Sequence, residues 1–351
     1  MRKKIKIGNK YIGEGCPCYI IAEMSANHAM DINNAKKIIH LAKESGADAV
    51  KIQTYTSDTM TLNSNKDEFL LKEGTWKGEN LYKLYQQAYT PWEWQAELKR
   101  EADGIGIDFF STPFDKTSVD FLEEIGVDFY KIASFELVDI PLIKYVASKG
   151  KPIIMSTGMG TLGEIEDAVN AVKAENNDQL CLLKCSSAYP ALPDNMNLST
   201  IKHIAETFKV PAGLSDHSLG SLSAVVAVTL GAKVIEKHFC ISREIKNPDA
   251  SFSMEPEEFK KMVEEIRVIE KAIGNISYER SNTEEFYAGF RRSIWVAKDI
   301  RKGEIFTDEN IRVVRPANGL EPKYYEEVLG KRALRDIEEA SPLKWNMVDE
   351  G

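Results

Sequence analysis

Eight short apolar runs alternate with amphipathic segments between residues 18 and 239, and this alternation limits the folds open to the chain. No run exceeds seven residues, and most are rich in β-branched or aromatic residues, as buried parallel strands are. The runs are 18–23, 48–54, 107–112, 128–134, 152–157, 180–186, 211–216 and 234–239. Eight such units predict an α/β protein built on a (β/α)8 TIM barrel. A doubly wound open sheet is the alternative, but eight units of similar size favour closure.

Helix signals occupy the intervals between these runs. In residues 31–46, Asp31 is placed to cap a helix and Gly46 to end it. Similar patterns cover 117–126, 142–150, 164–175 and 221–232. Residues 254–274 supply the last helix, so the barrel domain is predicted at 1–274.

The pattern changes after the last of these helices. The polar residues 275–289 are predicted to form a linker. Residues 290–351 contain two strand-like pieces, 291–300 and 310–319, separated by turns. This tail carries 12 basic and 12 acidic residues, so the net charge of −9 lies wholly on the rest of the chain. We predict a small β-rich C-terminal domain at 290–351.

The composition excludes several classes of protein. Of 351 residues, 43% are hydrophobic and 28% are charged, which is typical of a globular protein. The net charge of −9 disfavours nucleic-acid binding. No apolar signal-peptide core follows the basic N-terminus, and no apolar run is long enough to span a membrane. Five cysteines without zinc-ligand spacing predict neither a disulfide framework nor structural zinc, so we expect a cytoplasmic protein.

Polar and ionisable residues stand at the C-terminal ends of nearly all the predicted strands. In (β/α)8 barrels these ends meet at one mouth, where the active site lies. The strand-end residues are Glu23, Lys51, Gln53, Ser111, Thr112, Lys131, Ser134, Ser156, Thr157, Lys184, Ser187, Ser215, His217, Glu236 and His238. Serines are expected wherever a strand emerges into solvent. Three lysines and two glutamates beside apolar neighbours instead indicate a functional site.

Two of the five histidines, His217 and His238, end the seventh and eighth predicted strands. These strands are neighbours in a closed barrel, so the two imidazoles should converge. A lone strand-end histidine is more often a general base or a hydrogen-bond donor. A pair of imidazoles suits a divalent transition metal that keeps open positions for water and substrate. We therefore predict a metal site at His217 and His238.

The ligand is predicted to be anionic, because Lys51, Lys131, Lys184 and several hydroxyls are expected at one barrel mouth. A small phosphorylated or carboxylated metabolite fits this set.

The segment 158–163 also matches the G-x-G-x-x-G motif of dinucleotide-binding proteins. However, the next strand ends in 184–186 without the carboxylate that such a site needs. We interpret these glycines as a tight turn between a strand and a helix.

Ordered motifs along practically the whole chain resemble the sialic acid synthase family. They are IIAEMSANH (20–28), AVKIQTYTSDTMTL (49–62), FFSTPFD (109–115), YKIASFE (130–136), STGM (156–159), GLSDHS (213–218), IEKHF (235–239) and PDASFS (248–253). The tail resembles that family's C-terminal antifreeze-like (SAF) domain. The resemblance implies that phosphoenolpyruvate is condensed with an open-chain aldose to a nine-carbon keto-sugar acid. It also implies a divalent metal, usually Mn²⁺ or Mg²⁺.

Within the family, QTYTSDTMT, YTPWEW (89–94) and CSSAYP (185–190) are most similar to the pseudaminic acid synthase branch. That branch uses the acetamido sugar 2,4-diacetamido-2,4,6-trideoxy-altrose. The sialic acid branch typically has Asn at the position of Ser187. Asn247 and Ala317 replace glycines of the family pattern, and either change could alter a loop near the sugar. N-acetylmannosamine and the legionaminic acid precursor therefore stay as alternative sugars.

Roles for individual residues follow from the resemblance, motif by motif. The residues that would bind phosphoenolpyruvate are Lys51, Thr112, Lys131, Ser134, Ser156, Ser187 and Ser215. The residues that would face the sugar or act in acid–base steps are Glu23, Tyr189, Glu236 and Asp249. Arg315 would reach the sugar from the SAF domain of a partner subunit. This last role implies a homodimer with swapped SAF domains.

Two other functions fit parts of the sequence. A Schiff-base aldolase acting on pyruvate would use Lys184 as its nucleophile. Alternatively, the tail could be an ice-binding or carbohydrate-binding module. An ice-binding face should be flat, repetitive and rich in threonine, whereas this tail has mixed charges and several arginines. Arginine instead favours the recognition of anionic or polar ligands.

Overall fold

Two compact units, Met1–Gly274 and Asn275–Gly351, make up the chain in a computed structural model that describes residues 3–349. In the first unit, eight parallel strands close into a barrel, and the helices pack outside it. The closed barrel confirms the predicted (β/α)8 fold over the open sheet. Among the described residues, none of the helices has the length and apolar character to cross a membrane.

The eight barrel strands follow the predicted apolar runs, and a hairpin of two further strands precedes them. The N-terminal hairpin consists of β1 (Lys4–Ile7) and β2 (Lys10–Gly13). The barrel strands are β3 (Tyr19–Glu23), β4 (Ala49–Thr54), β5 (Asp108–Pro113), β6 (Tyr130–Ile132), β7 (Ile153–Ser156), β8 (Leu180–Cys185), β9 (Ala212–Asp216) and β10 (Val234–His238). Strand β10 pairs with both β9 and β3, which closes the barrel.

Helices occupy the predicted intervals between strands. The long segment that connects β4 to β5, here called the excursion, also contains helices. In the first unit they are α1 (Ile32–Glu44), α2 (Ser57–Met60), α3 (Leu81–Ala88), α4 (Trp92–Ile105), α5 (Lys116–Ile125), α6 (Ile140–Ala147), α7 (Leu162–Ala174), α8 (Thr200–Phe208), α9 (Leu222–Thr229) and α10 (Pro256–Ile273). Asp31 caps α1 as predicted, because its side chain accepts a hydrogen bond from the Asn33 N–H.

The barrel interior has two layers of opposite polarity. Side chains alternate across each strand, so every second residue points inward. The lower layer is apolar and consists of Tyr19, Ile21, Ala49, Phe110, Phe129, Ile154, Cys181, Leu183 and Val234. The next inward positions toward the strand ends are polar and include Glu23, Lys51, Thr112, Lys131, Ser156, Ser215 and Glu236. The polar layer thus stands on an apolar floor that excludes water.

The hairpin β1–β2 joins this floor, and the sequence did not predict it. Ile5 and Ile12 are register partners, and both are buried in the cluster that fills the lower barrel. Ile7 lies in the same cluster. The alternation of lysine and isoleucine in β1 is that of a half-buried strand, but a four-residue run carries little periodic signal.

The second unit contains a small antiparallel sheet. It is formed by β11 (Ser293–Val296) and β12 (Ile311–Val314), which lie within the two predicted strand-like pieces. Two further helices are α11 (Asn282–Ala288) and α12 (Tyr325–Val328). Helix α11 falls within the range predicted as a linker. It forms because Ser281 and Glu284 make a capping box, a helix start signal that the polar composition of the segment obscured.

Candidate active site

Lys51 lies at the centre of the polar layer, between two buried carboxylates. Its Nζ is 2.7 Å from Glu23 Oε2 and 3.5 Å from Glu236 Oε1. It also donates a hydrogen bond of 3.3 Å to Thr112 Oγ1. Gln53 donates to Glu23 Oε1 from the next inward position of β4, at 3.0 Å. All of the charged groups in this set are nearly inaccessible to solvent, so each depends on the others for compensation.

Lys131 is the second buried ammonium of the layer. Its Nζ donates to Ser156 Oγ at 2.6 Å and to the Ile132 carbonyl at 2.9 Å. It lies 4.0 Å from Glu236 Oε1, which also accepts a 3.3 Å hydrogen bond from Ser215 Oγ. The Glu236 carboxylate is therefore flanked by both lysines, whereas Glu23 pairs with Lys51.

The surroundings of Glu23 and Glu236 shift the pKa values of these two carboxyl groups in opposite directions. Burial raises the pKa of Glu23 above its usual value, and Lys51 only partly opposes this. Burial also acts to raise the pKa of Glu236, but the charges of Lys131 and Lys51 outweigh it and hold this pKa below its usual value. Burial lowers the pKa of Lys131. Neighbouring carboxyls whose pKa values are driven apart suit one acid and one base.

A cradle of hydroxyls adjoins the lysines at the turn after β7. The Gly158 N–H donates to Ser134 Oγ at 3.1 Å. A Cβ added at Gly158 would lie 2.2 Å from Ser187 Oγ and 2.7 Å from Ser134 Oγ, so a larger residue here would force these hydroxyls to move. The first glycine of the G-x-G-x-x-G match therefore serves close approach between the turn and two hydroxyls. Hydroxyls beside ammonium groups suit an anion.

His217 and His238 meet at the mouth, as their strand ends predicted. Their ring centroids are 5.4 Å apart. His217 Nδ1 donates to the Ser186 carbonyl at 3.1 Å, so Nε2 is the ring nitrogen that would act as a ligand. His238 Nδ1 is buried without a hydrogen-bond partner within residues 3–349, and the carboxylate oxygen Asp249 Oδ2 is 3.9 Å away from it.

These donors fit a divalent metal. Imidazole nitrogens with nearby carboxylates are ligands that Mn²⁺ and related ions accept. His238 Nδ1 and Glu236 Oε2 are both buried and have no hydrogen-bond partner in the described part of the chain, and a cation or its bound water would satisfy them. Across residues 3–349, no three His, Cys, Asp or Glu side chains are grouped as a complete metal site. An ion at the histidine pair would therefore keep open coordination positions.

An aromatic wall stands beside the histidines. The Tyr189 ring lies 4.3 Å from the His217 ring and 5.3 Å from the Phe252 ring, measured between centroids. Trp76, from the excursion between β4 and β5, packs 5.4 Å from Tyr189 and donates from its indole N–H to the Pro248 carbonyl at 2.9 Å. The sequence motifs did not predict Trp76 and Phe252 as site residues, because only tertiary contacts bring them to the strand ends.

Asp249 completes this side of the site. Its Oδ2 accepts a 3.2 Å hydrogen bond from the Ala26 N–H, which ties the loop after β10 to the loop after β3. Burial raises the pKa of Asp249.

The barrel mouth thus brings together thirteen of the sequence-predicted site residues. They are Glu23, Lys51, Thr112, Lys131, Ser134, Ser156, Ser187, Tyr189, Ser215, His217, Glu236, His238 and Asp249.

Lys184 does not join this group. Lys184 comes two residues after Leu182, which packs against the helices, so both side chains lie on the outer face of β8. The Lys184 Nζ donates to the adjacent Cys185 carbonyl at 3.1 Å. The expectation that three lysines converge is therefore wrong for Lys184, whose side chain leaves the strand on the face opposite Lys51 and Lys131. Arg315 is exposed in the second unit, one residue after β12.

Fold and site together define a (β/α)8-barrel enzyme with its reactive groups at the strand ends. A model described as the NeuB family matches residues 38–278, and a SAF domain model matches residues 291–349. The chain therefore belongs to the NeuB family, and it is an enzyme of the sialic acid synthase type. This confirms the resemblance seen in the sequence motifs.

Individual relatives match over nearly the whole chain. The pseudaminic acid synthase of Campylobacter jejuni is 47% identical over 326 residues, which cover 93% of this chain and 95% of the relative. The N,N'-diacetyllegionaminic acid synthase of Legionella pneumophila is 37% identical, with 97% and 98% covered. The solved N-acetylneuraminic acid synthetase of Leptospira borgpetersenii has a TM-score of 0.73 at 34% identity, over 81% of this chain and 94% of that one.

The hydroxyl cradle generates a direct test. Gly158→Ala should displace Ser134 and Ser187 and weaken the binding of phosphoenolpyruvate by about tenfold or more, since small misplacements in a site are costly. Gly163→Ala is the matched control, because an added Cβ there meets nothing within 4 Å. Fluorescence titration measures both dissociation constants, and circular dichroism checks folding. Equal affinity in the two folded variants would contradict the assignment of the cradle.

Proposed function

We propose that the protein condenses phosphoenolpyruvate with an open-chain N-acetylated amino sugar, giving a nine-carbon nonulosonic acid and phosphate. The observation that carries this proposal is the buried set of Lys51, Lys131, Glu23 and Glu236, which shares the barrel mouth with the hydroxyl cradle and the histidine pair. It offers an anion site on one side and a carbonyl-activating site on the other. The named synthases among the relatives support the same reaction class.

Phosphoenolpyruvate is assigned to the lysine side of the mouth. Lys51 and Lys131 would neutralise its phosphate and carboxylate, in a layer where low solvent access strengthens charge interactions. The hydroxyls of the site would donate to its oxygens. They belong to Thr112, Ser134, Ser156, Ser187 and Ser215. Gly158 lets the turn after β7 approach this group closely.

The sugar is assigned to the side lined by Tyr189 and Asp249. A divalent metal, Mn²⁺ or Mg²⁺, is the cofactor that we propose for His217 and His238, and when bound it supplies a Lewis acid for the aldehyde oxygen. The Asp249 carboxyl would accept or donate a hydrogen bond to a sugar hydroxyl. Tyr189 would pack its ring against the apolar side of the sugar.

The two glutamates divide the proton transfers. Carbon 3 of phosphoenolpyruvate attacks the aldehyde carbon, and positive character develops at its carbon 2. Glu236, held ionised by two lysines, takes a proton from the water that adds at carbon 2. Glu236 then passes this proton to the oxygen of the former aldehyde. Glu23, whose pKa is raised by burial, gives its proton to the phosphate oxygen as the carbon–oxygen bond to phosphate breaks, and it takes the proton of the carbon 2 hydroxyl as the ketone forms. Lys51 and Lys131 stabilise the phosphate charge throughout.

The sugar we propose is 2,4-diacetamido-2,4,6-trideoxy-altrose, which would make the product pseudaminic acid. The identity of 47% to a pseudaminic acid synthase, against 37% to a legionaminic acid synthase, supports this choice. The alternatives are the same reaction with the legionaminic acid precursor or with N-acetylmannosamine.

The proposed compartment is the cytoplasm. The five unpaired cysteines suit it, because thiols stay reduced there.

Product analysis tests the proposed reaction. Purified protein is incubated with phosphoenolpyruvate, Mn²⁺ and each of the three candidate sugars, and products are weighed by mass spectrometry. We expect phosphate release and a nine-carbon acid with the 2,4-diacetamido-altrose, and at least about tenfold lower kcat/KM with the others. Turnover of N-acetylmannosamine alone would contradict the choice of sugar. No product with any sugar would contradict the proposed reaction.

Arg315 is proposed to complete the sugar site from a partner subunit of a homodimer with swapped SAF domains. Arg315→Ala should then raise the sugar KM or lower kcat by at least about tenfold, as the loss of a charged hydrogen bond does, while phosphoenolpyruvate binding stays unchanged. Mixing Arg315→Ala with inactive His217→Ala should restore activity, because a mixed dimer has one intact site. No recovery under conditions that demonstrably exchange subunits would contradict the swap.

A further inference from the structure

A buried ion pair lies behind the two histidines, on the outer face of their strands. Lys237 Nζ is 2.7 Å from Asp216 Oδ2 and donates a 2.6 Å hydrogen bond to the Ser218 carbonyl. Lys237 and Asp216 are each 1% exposed. We call Lys237, Asp216 and Ser218 the Lys237 clamp. None of the three takes part in the chemistry assigned above.

Strand register places the two charged residues of the clamp side by side, each next in sequence to residues of the site. Lys237 of β10 is the register partner of Asp216 of β9. Ile235 and Leu214, two residues earlier on each strand, pack against the helices, so Lys237 and Asp216 face the same way. The inward neighbours of Lys237 are therefore Glu236 and His238. A movement between the strands at the clamp would change the distance between the imidazoles.

The clamp also fixes the backbone on both sides of His217. Asp216 Oδ1 accepts hydrogen bonds from the Ser218 N–H at 2.9 Å and from Ser218 Oγ at 2.7 Å. Because Lys237 holds the Ser218 carbonyl as well, Asp216 and Ser218 are both anchored. His217 stands between these two anchored residues. Its position is thus set by contacts that lie outside the barrel mouth.

Stability alone is a weak reason for this arrangement. Replacing a buried ion pair with apolar residues of similar volume is often neutral or stabilising, so such a pair is poor evidence of a structural role.

A second lysine salt bridge, at the other end of the strands, can be compared with the Lys237 clamp. Lys151, which precedes β7, contacts Glu123 Oε1 at 2.5 Å and donates to the Val127 carbonyl at 2.8 Å.

We propose that Lys237 is a positioning residue that sets the spacing of the His217 and His238 imidazoles and thereby the affinity of the site for its divalent cation. The proposal rests on the metal site assigned under the proposed function. Lys237 acts through Asp216 and Ser218 and touches neither substrate nor cation. Residues that support metal ligands in this way typically change metal affinity by about 10- to 100-fold when they are replaced.

The experiment measures Mn²⁺ binding to the metal-free, full-length protein by electron paramagnetic resonance. The double variant Lys237→Met/Asp216→Asn leaves no buried charge behind and keeps an acceptor for Ser218. We expect it to bind Mn²⁺ at least about tenfold more weakly than the wild type, with unchanged affinity for phosphoenolpyruvate. Lys237→Arg keeps the charge and its donors, so it should restore most of the Mn²⁺ affinity.

Two controls separate the possible failures. Lys151→Met removes a similar contact set at the other end of the strands and should leave Mn²⁺ binding unchanged. The inference is wrong if the double variant, shown to be folded by circular dichroism, binds Mn²⁺ within about threefold of the wild type, or if Lys151→Met weakens it equally. His217→Ala tests the metal site itself. If it binds Mn²⁺ like the wild type, the proposed site fails and the inference fails with it.

Discussion

The ion pairs of Lys51 with Glu23 and Glu236 are the contacts on which the polar layer depends. Removing one member of a buried pair leaves an uncompensated charge, which costs about 3–5 kcal/mol, so these groups persist only together. Their surroundings make this possible. An apolar floor sealed by the β1–β2 hairpin keeps water out from below, and strand ends supply hydroxyls from the sides. The same low solvent access that makes the buried charges costly would strengthen the attraction of Lys51 and Lys131 for an anionic substrate.

The sequence predicted the barrel and most of its mouth because both follow from short-range periodicity. Eight apolar runs separated by helix signals define the strands, and parallel strands bring their C-terminal ends to one place. Residues such as Glu23, Lys131 and His238 could therefore be assigned to the mouth before any contact was known. The neighbouring positions of His217 and His238 follow from closure, because consecutive strands in a barrel lie side by side.

The remaining features depend on parity, register or tertiary contacts. Lys184 stands at a strand end like Lys51, but it is one residue out of phase with the inward positions, and a six-residue strand does not reveal which phase faces the barrel axis. Trp76 reaches Tyr189 only through a long excursion. The Lys237 clamp depends on the pairing of two strands whose register no local pattern encodes. These are long-range consequences of a fold whose local signals are clear.

In the proposed reaction, the buried carboxyls act at carbon 2 of phosphoenolpyruvate while Lys51 and Lys131 hold its phosphate. Phosphoenolpyruvate labelled with ¹⁸O in the oxygen that bridges carbon 2 and phosphorus tests this claim most directly. If water adds at carbon 2, the carbon–oxygen bond breaks, and mass spectrometry finds the label in inorganic phosphate. If the label stays in the nine-carbon product, the phosphorus–oxygen bond has broken, and Glu23 and Glu236 do not transfer protons at carbon 2.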